Sequence, residues 1–226
     1  MKKFTSPFVV IKNSYQIFIK KDNFLSLIKI YSPIGFLSLL SLLFIYIPFL
    51  FDFFNTPSGN VAMGIFNFIF IFLAIFINLA GVTAIIKIVD GEIVKIKEIF
   101  KESASKFWKF LLLSTIIYLI DILGLLLLVF PFILVLTWFI FSKFIMIDQG
   151  TGIKKSLVQS KKMVKGKFWK VLLRIVIFGL FSLCFQMVVT LIPYGVGTVI
   201  FYLGGAFFIL PLFLFYREIS QETINE

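Results

Sequence analysis

The residues of this chain best placed to do chemistry are polar groups stranded in apolar runs: Asp121, Lys143, Asn67, Asn78 and Gln186. Asp121 is the only acidic side chain deep in such a run. An ionisable group in hydrocarbon costs at least about 2.5 to 3.5 kcal/mol on insertion scales, so it marks a function or a nearby partner. If the run from Phe110 to Ile147 folds back near Phe130, antiparallel packing sets Asp121 opposite Ile140 and brings Lys143 within about one turn. Such a pair, joined by Asn67, Asn78 and Gln186, would make a polar path for an ion or small solute. The competing reading is hydrogen bonding between packed helices.

Other chemistries find no footing. The chain has no histidine, which removes imidazole catalysis and imidazole metal sites. Its one cysteine, Cys184, lies in an apolar run and reads as an inert buried thiol. There is no glycine-rich phosphate loop, no metal-ligand constellation and no nucleophile with a base partner. The expectation is a protein that is not an enzyme and carries no cofactor.

The elements that must position these residues follow from composition. Of 226 residues, 60% are apolar and 15% charged, with a mean hydropathy of +1.06. A soluble domain is about 45 to 50% apolar and about a quarter charged. Lipid is therefore the solvent for most of the chain. Apolar runs at 30–51 and 61–86 are each long enough to span. The run at 110–147 is broken near its middle by Pro131, and the run at 168–216 by Pro193. A hairpin turning near Val129 to Phe132 leaves two helices of about 18 to 20 residues, marginal for full crossing, so a shallow hairpin is the alternative there. The prediction is an all-α, polytopic membrane bundle of about six transmembrane helices in three hairpins, forming one integral membrane domain over 1–226. The early lysines Lys12, Lys20 and Lys21 interrupt any signal-peptide core, so 1–24 reads as retained protein.

Self-similarity organises these hairpins. Lys106-Phe107-Trp108-Lys109 recurs as Lys167-Phe168-Trp169-Lys170, 61 positions later. Each copy is preceded by an aspartate and a glycine ending the previous apolar run, Asp90-Gly91 and Asp148-Gln149-Gly150. A degenerate copy has Phe24 in the place of the tryptophan, after Lys20-Lys21-Asp22-Asn23, with Pro48 downstream. The units run over about 6–88, 91–147 and 150–216, followed by an acidic tail at 217–226. Each begins with an amphipathic segment expected to lie in the interface plane. In the last unit Ile153, Leu157, Ser160, Val164 and Phe168 share one stripe. Lys154, Lys155, Lys162, Lys165 and Lys167 then become candidate headgroup contacts, with Trp108 and Trp169 in the aromatic belt.

The 22 basic residues fall as 6 in 1–29, 6 in 87–109, 9 in 143–174 and one at Arg217. Positive residues stay on the cytoplasmic side of short loops. Both termini are therefore expected in the cytoplasm of a multi-pass protein of the cell membrane. The partners implied are the bilayer, anionic lipids in particular, and a second copy or another membrane protein. With no binding fold to accompany the lysines, nucleic acid is not among them.

The stretch from Gly152 to Lys170 resembles a signature of the membrane domain attached to some bacterial glycerophosphoryl diester phosphodiesterases, a domain also found alone in integral membrane proteins. Ser156 and Lys165-Gly166-Lys167-Phe168-Trp169 carry the resemblance, while Leu157 stands where the family has tryptophan. The resemblance implies a helical membrane domain and nothing catalytic, since hydrolysis in the full enzymes belongs to a separate soluble barrel with histidine and acidic metal ligands. The functional expectation is a non-enzymatic membrane protein that organises or binds lipid and partner proteins at the cytoplasmic face. The alternative is a small transporter or permease-like subunit using the path around Asp121.

Overall fold

A computed structural model describes residues 5–46, 56–127, 129–192 and 196–224. Every element among them is helical: α1 (Pro7–Ile19), α2 (Lys21–Tyr46), α3 (Pro57–Val89), α4 (Ile96–Leu127), α5 (Val129–Phe139), α6 (Ser142–Gln149), α7 (Ile153–Val164), α8 (Phe168–Thr190), α9 (Val196–Leu203) and α10 (Gly205–Ile224). Among the described residues four segments are long and apolar enough to cross a membrane: Pro57–Val89, Ile96–Leu126, Phe130–Gln149 and Phe168–Thr190. The other two expected spans differ. The run at 30–51 forms α2 up to Tyr46 and continues outside the described residues, where Pro48 also lies. The last run is divided at Gly204, whose amide closes α9 on the Ile200 carbonyl and whose carbonyl opens α10 by accepting from Phe207. Pro193 lies outside the described residues.

The two arms around Pro131 pack on each other, and Pro131 itself lies within the second. Positions 129–132 already belong to α5, where Pro131 occupies the first turn and its missing N–H has no helical partner to lose. The two arms approach closely at Gly124, where a methyl group would stand 3.0 Å from the Phe132 Cα. Close contacts of this kind recur where small residues meet bulky ones. A methyl on Gly81 would overlap the Tyr31 hydroxyl, and one on Gly197 the Val189 carbonyl.

The core runs through the second half of α3, with Ile77, Leu79 and Ile85 fully buried, and meets α10 at Leu210, Phe213, Phe215 and Tyr216. Phe141 and Phe144 complete an aromatic cluster, Phe144 lying edge-on to Phe213 at 5.6 Å. Outward faces are equally apolar. Leu112, Leu119, Leu123 and Leu126 of α4 are exposed, as are Leu173, Leu180, Leu183 and Leu191 in and just after α8. Such continuous apolar surface is stable against acyl chains and not against water. Cys184 sits on that outer surface of α8, not in the buried setting expected for it, because the apolar run around it is lipid-facing on that side.

The aspartate-glycine signals end helices as expected. After α3, Gly91 takes φ 79°, donating to the Ile88 carbonyl while Glu92 donates to Lys87, a Schellman closure. Gly150 takes φ 64° after α6. The two Lys-Phe-Trp-Lys copies diverge, however. In the last unit α7 stops and Gly166, at φ 82°, turns the chain into α8. The matching position in the earlier copy is Ser105, and there α4 runs straight through from Ile96 to Leu127. The amphipathic segment is thus a separate helix in the last unit and the first two turns of a long one in the middle unit. Nothing lies within 4 Å of a methyl added at Gly166, so its role is conformational. Gly166→Ala is expected to cost about 1 to 2 kcal/mol, the penalty of a left-handed L-residue, and Gly166→Asn clearly less; thermal unfolding of the purified variants in micelles checks the order.

Candidate functional site

Three polar assemblies interrupt this apolar bundle. The first is built by the last turns of α10. Arg217 Nη2 donates to both carboxylate oxygens of Asp90, at 2.8 and 2.9 Å, and to Asp148 Oδ1 at 3.0 Å. The two repeat aspartates, each at the end of an apolar helix, are thereby gathered by one guanidinium. Tyr216 donates its hydroxyl hydrogen to Asp148 Oδ2 at 2.9 Å and accepts from the Gln149 amide. One residue on, Glu218 accepts from Arg174 at 2.7 Å and from the Thr5 amide, while Arg174 also donates to the Thr5 carbonyl. Glu222 pairs with Lys167 at 3.1 Å. Both guanidiniums lie over phenylalanine rings, Arg174 over Phe215 and Arg217 over Phe213.

This clasp corrects two expectations. The segment 217–224 is not a free acidic tail; it is the end of α10, and its glutamates are the partners of Arg174 and Lys167. Lys167, expected among headgroups, is only 9% exposed and its charge is matched by Glu222 inside the protein. The first lysine of the earlier motif behaves alike, Lys106 pairing with Glu102 at 2.8 Å and donating to the Ile147 carbonyl. The motif's phenylalanine turns inward, Phe107 packing on Phe76, and its tryptophans turn out, Trp108 at 72% and Trp169 at 74% exposure. A signal for the clasp is present in composition: the chain has only two arginines among 22 basic residues, and both are here. A guanidinium is more weakly hydrated than an ammonium and is the cation of choice for partly buried ion pairs.

The second assembly is cationic. On α7, Lys154, Lys155 and Lys162 are exposed, as is Lys165 at its C-cap. The first three, with Gln149, Val158 and Gln159, line a shallow groove of about 650 Å³. The helix is seated by Ser160, which donates to the Trp138 carbonyl at 2.6 Å, and by Lys161 stacked over the Trp138 ring.

The third is intramembrane. Asp121, Lys143 and Asn78 line one cavity of about 360 Å³, walled otherwise by apolar side chains of α3 to α6 and α10. Asn78 and Lys143 also border a neighbouring cavity of about 330 Å³ that reaches Ser114. The expected meeting of Asp121 with Lys143 thus occurs as a shared cavity. Asp121 Oδ1 accepts no hydrogen bond, and Lys143 rests over the Phe110 ring, 5.6 Å from its centre. Asn67 and Gln186 are not part of it; each is exposed, on α3 and α8 respectively. No cluster of His, Cys, Asp and Glu able to hold a metal exists among the described residues.

Comparison with protein-family models, with curated proteins and with solved structures gave no match. The assemblies must therefore be read on their own chemistry. The clasp is the one whose removal should be felt in stability. Arg217→Lys retains the charge but not the position of Nη2, the one nitrogen that makes all three contacts, and is expected to lose about 1.5 to 3 kcal/mol, the range for hydrogen bonds to charged groups. A double-mutant cycle of Arg217→Lys with Asp148→Asn should show coupling of at least about 0.5 kcal/mol; strict additivity would deny the contact an energetic role.

Proposed function

We propose that this chain is a non-enzymatic integral membrane protein that gathers anionic lipid at the cytoplasmic membrane face through α7. One observation carries this reading. Lys154, Lys155 and Lys162 stand exposed on a helix that is fixed to the bundle by Ser160 and Lys161, Lys165 stands exposed at its C-cap, and the outward Trp169 follows in the first turn of α8. Immobilised ammonium groups next to interfacial aromatic rings suit phosphate headgroups, and the flanking Gln149 and Gln159 amides add uncharged donors. The confinement of positive charge to alternate loops supports six crossings with both ends in the cytoplasm. The likeness of 152–170 to the membrane domain of glycerophosphoryl diester phosphodiesterases supports a membrane role in the same lipid context, with no hydrolytic activity. A second copy or another membrane protein is the further partner this reading admits.

The permease-like alternative draws on a different observation, the cavity shared by Asp121, Lys143 and Asn78. An Asp121 sealed against its neighbours would have spoken for a purely structural role; a lined cavity favours the alternative at that place.

The lipid reading is tested on the full chain. Each basic residue near an anionic surface contributes about 1 kcal/mol, so Lys154→Gln, Lys155→Gln and Lys162→Gln combined should lower the preference for phosphatidylglycerol over phosphatidylcholine at least tenfold in lipid-exchange measurements. Rising salt should erode the wild-type preference. An unchanged preference in the triple variant would remove the reading. Orientation is tested separately. Cys184→Ser removes the only thiol. In that background, Lys155→Cys is expected to react with a membrane-impermeant maleimide in inverted vesicles and to be protected in intact cells.

A further inference from the structure

The intramembrane cavity carries a more specific statement than a polar path. Its polar wall is unusual in holding both signs, the Asp121 carboxylate and the Lys143 ammonium, with the Asn78 amide beside them. The two charged groups face the same space without forming a direct ion pair; Asp121 Oδ1 is buried and accepts from nothing, while the Lys143 ammonium has the Phe110 ring. The rest of the wall is apolar, including Val82, Ile117, Phe139 and Leu212.

Consider what each class of occupant would meet. A simple cation satisfies Asp121 but is repelled by Lys143. A simple anion meets the reverse. A neutral apolar molecule fits the apolar wall and leaves both charges without partners in a low-dielectric setting, where such groups are most costly. An occupant carrying both an ammonium and an oxyacid anion on an apolar body matches every part of the wall. The volume, about 360 Å³, lies at the small end of ligand sites and is too small for two acyl chains.

We propose that this cavity is a binding site for a small zwitterionic amphiphile, its ammonium received by Asp121, its anion by Lys143 and the Asn78 amide, and its apolar part by the side chains of Val82, Ile117 and Phe139. Two sources share this chemistry: a free apolar amino acid, and the headgroup region of an ethanolamine phospholipid whose chains leave between helices. The inference deepens the permease-like reading, and the site is a component which that reading requires.

The test uses the full chain in an uncharged maltoside micelle. Radiolabelled phenylalanine and dihexanoyl phosphatidylethanolamine serve as the two zwitterionic probes, with octanoate and octylamine as single-charge controls, all at up to millimolar concentration. One zwitterion is expected to bind saturably, one per chain, and at least tenfold more tightly than either control. Asp121→Asn and Lys143→Gln, nearly isosteric, should each weaken it at least tenfold while circular dichroism and elution volume stay at wild-type values. Retention of the phospholipid alone assigns the headgroup source, and of phenylalanine alone the free solute. Ile117→Phe keeps both charges and fills the cavity, and should abolish binding; it decides the matter if a charge variant fails to fold. Failure of both zwitterions to bind, equal binding of a control, or unchanged binding in the variants overturns the proposal. Binding without flux of the same probe into proteoliposomes would remove the permease reading and leave the site standing.

Discussion

The guanidinium of Arg217 is the point on which the rest of this structure depends. A bundle of apolar helices in lipid has no hydrophobic force to hold its members in register, since acyl chains are as apolar as leucine, and specificity passes to packing and polar contacts. Arg217 reaches the ends of α3 and α6 together through Asp90 and Asp148. The adjoining turns of α10 reach the start of α8 through Arg174 and Lys167, and the chain ahead of α1 through Thr5. Four segments are thus fixed against one helix end. The aromatic cluster around Tyr216, Phe213 and Phe144 lies directly beneath, so polar register and core packing are set by the same few residues.

Local chemistry was legible in the sequence, and distant pairing was not. The ends of α3 and α6 follow from Asp90-Gly91 and Gly150, whose effects are confined to the neighbouring peptide groups. The fold-back near Pro131 follows from the same kind of local constraint. What the aspartates are for depends on Arg217, 127 and 69 positions away, and no periodicity or motif reports a contact at that range. The acidic stretch at the end reads as a tail because the lysine and arginine that neutralise it lie 55 and 44 positions upstream, at the start of α8. The placing of Asp121 and Lys143 in one cavity was foreseeable from helical spacing, since both belong to one hairpin; the distance of Asn67 and Gln186 from it was not.

The two Lys-Phe-Trp-Lys copies show how a conserved-looking local unit can be put to different uses within one chain. In both, the leading lysine is drawn into an internal ion pair, the phenylalanine packs inward or beside it, and the tryptophan faces out. The residue before the motif differs, serine in one and glycine in the other, and it decides whether the preceding basic segment is stacked coaxially on the apolar helix or released as a separate one. Only the released copy presents its lysines along a separate helix, which is why the two halves of an apparent repeat do not offer the same surface.

The tie between Thr5 and Glu218 carries a topological consequence. Two residues joined by a hydrogen bond lie on one side of any sheet that separates two aqueous compartments. The chain between them must therefore pass through the bilayer an even number of times, whichever of its apolar helices do the passing. Four crossings satisfy this parity and so do six; three and five are forbidden.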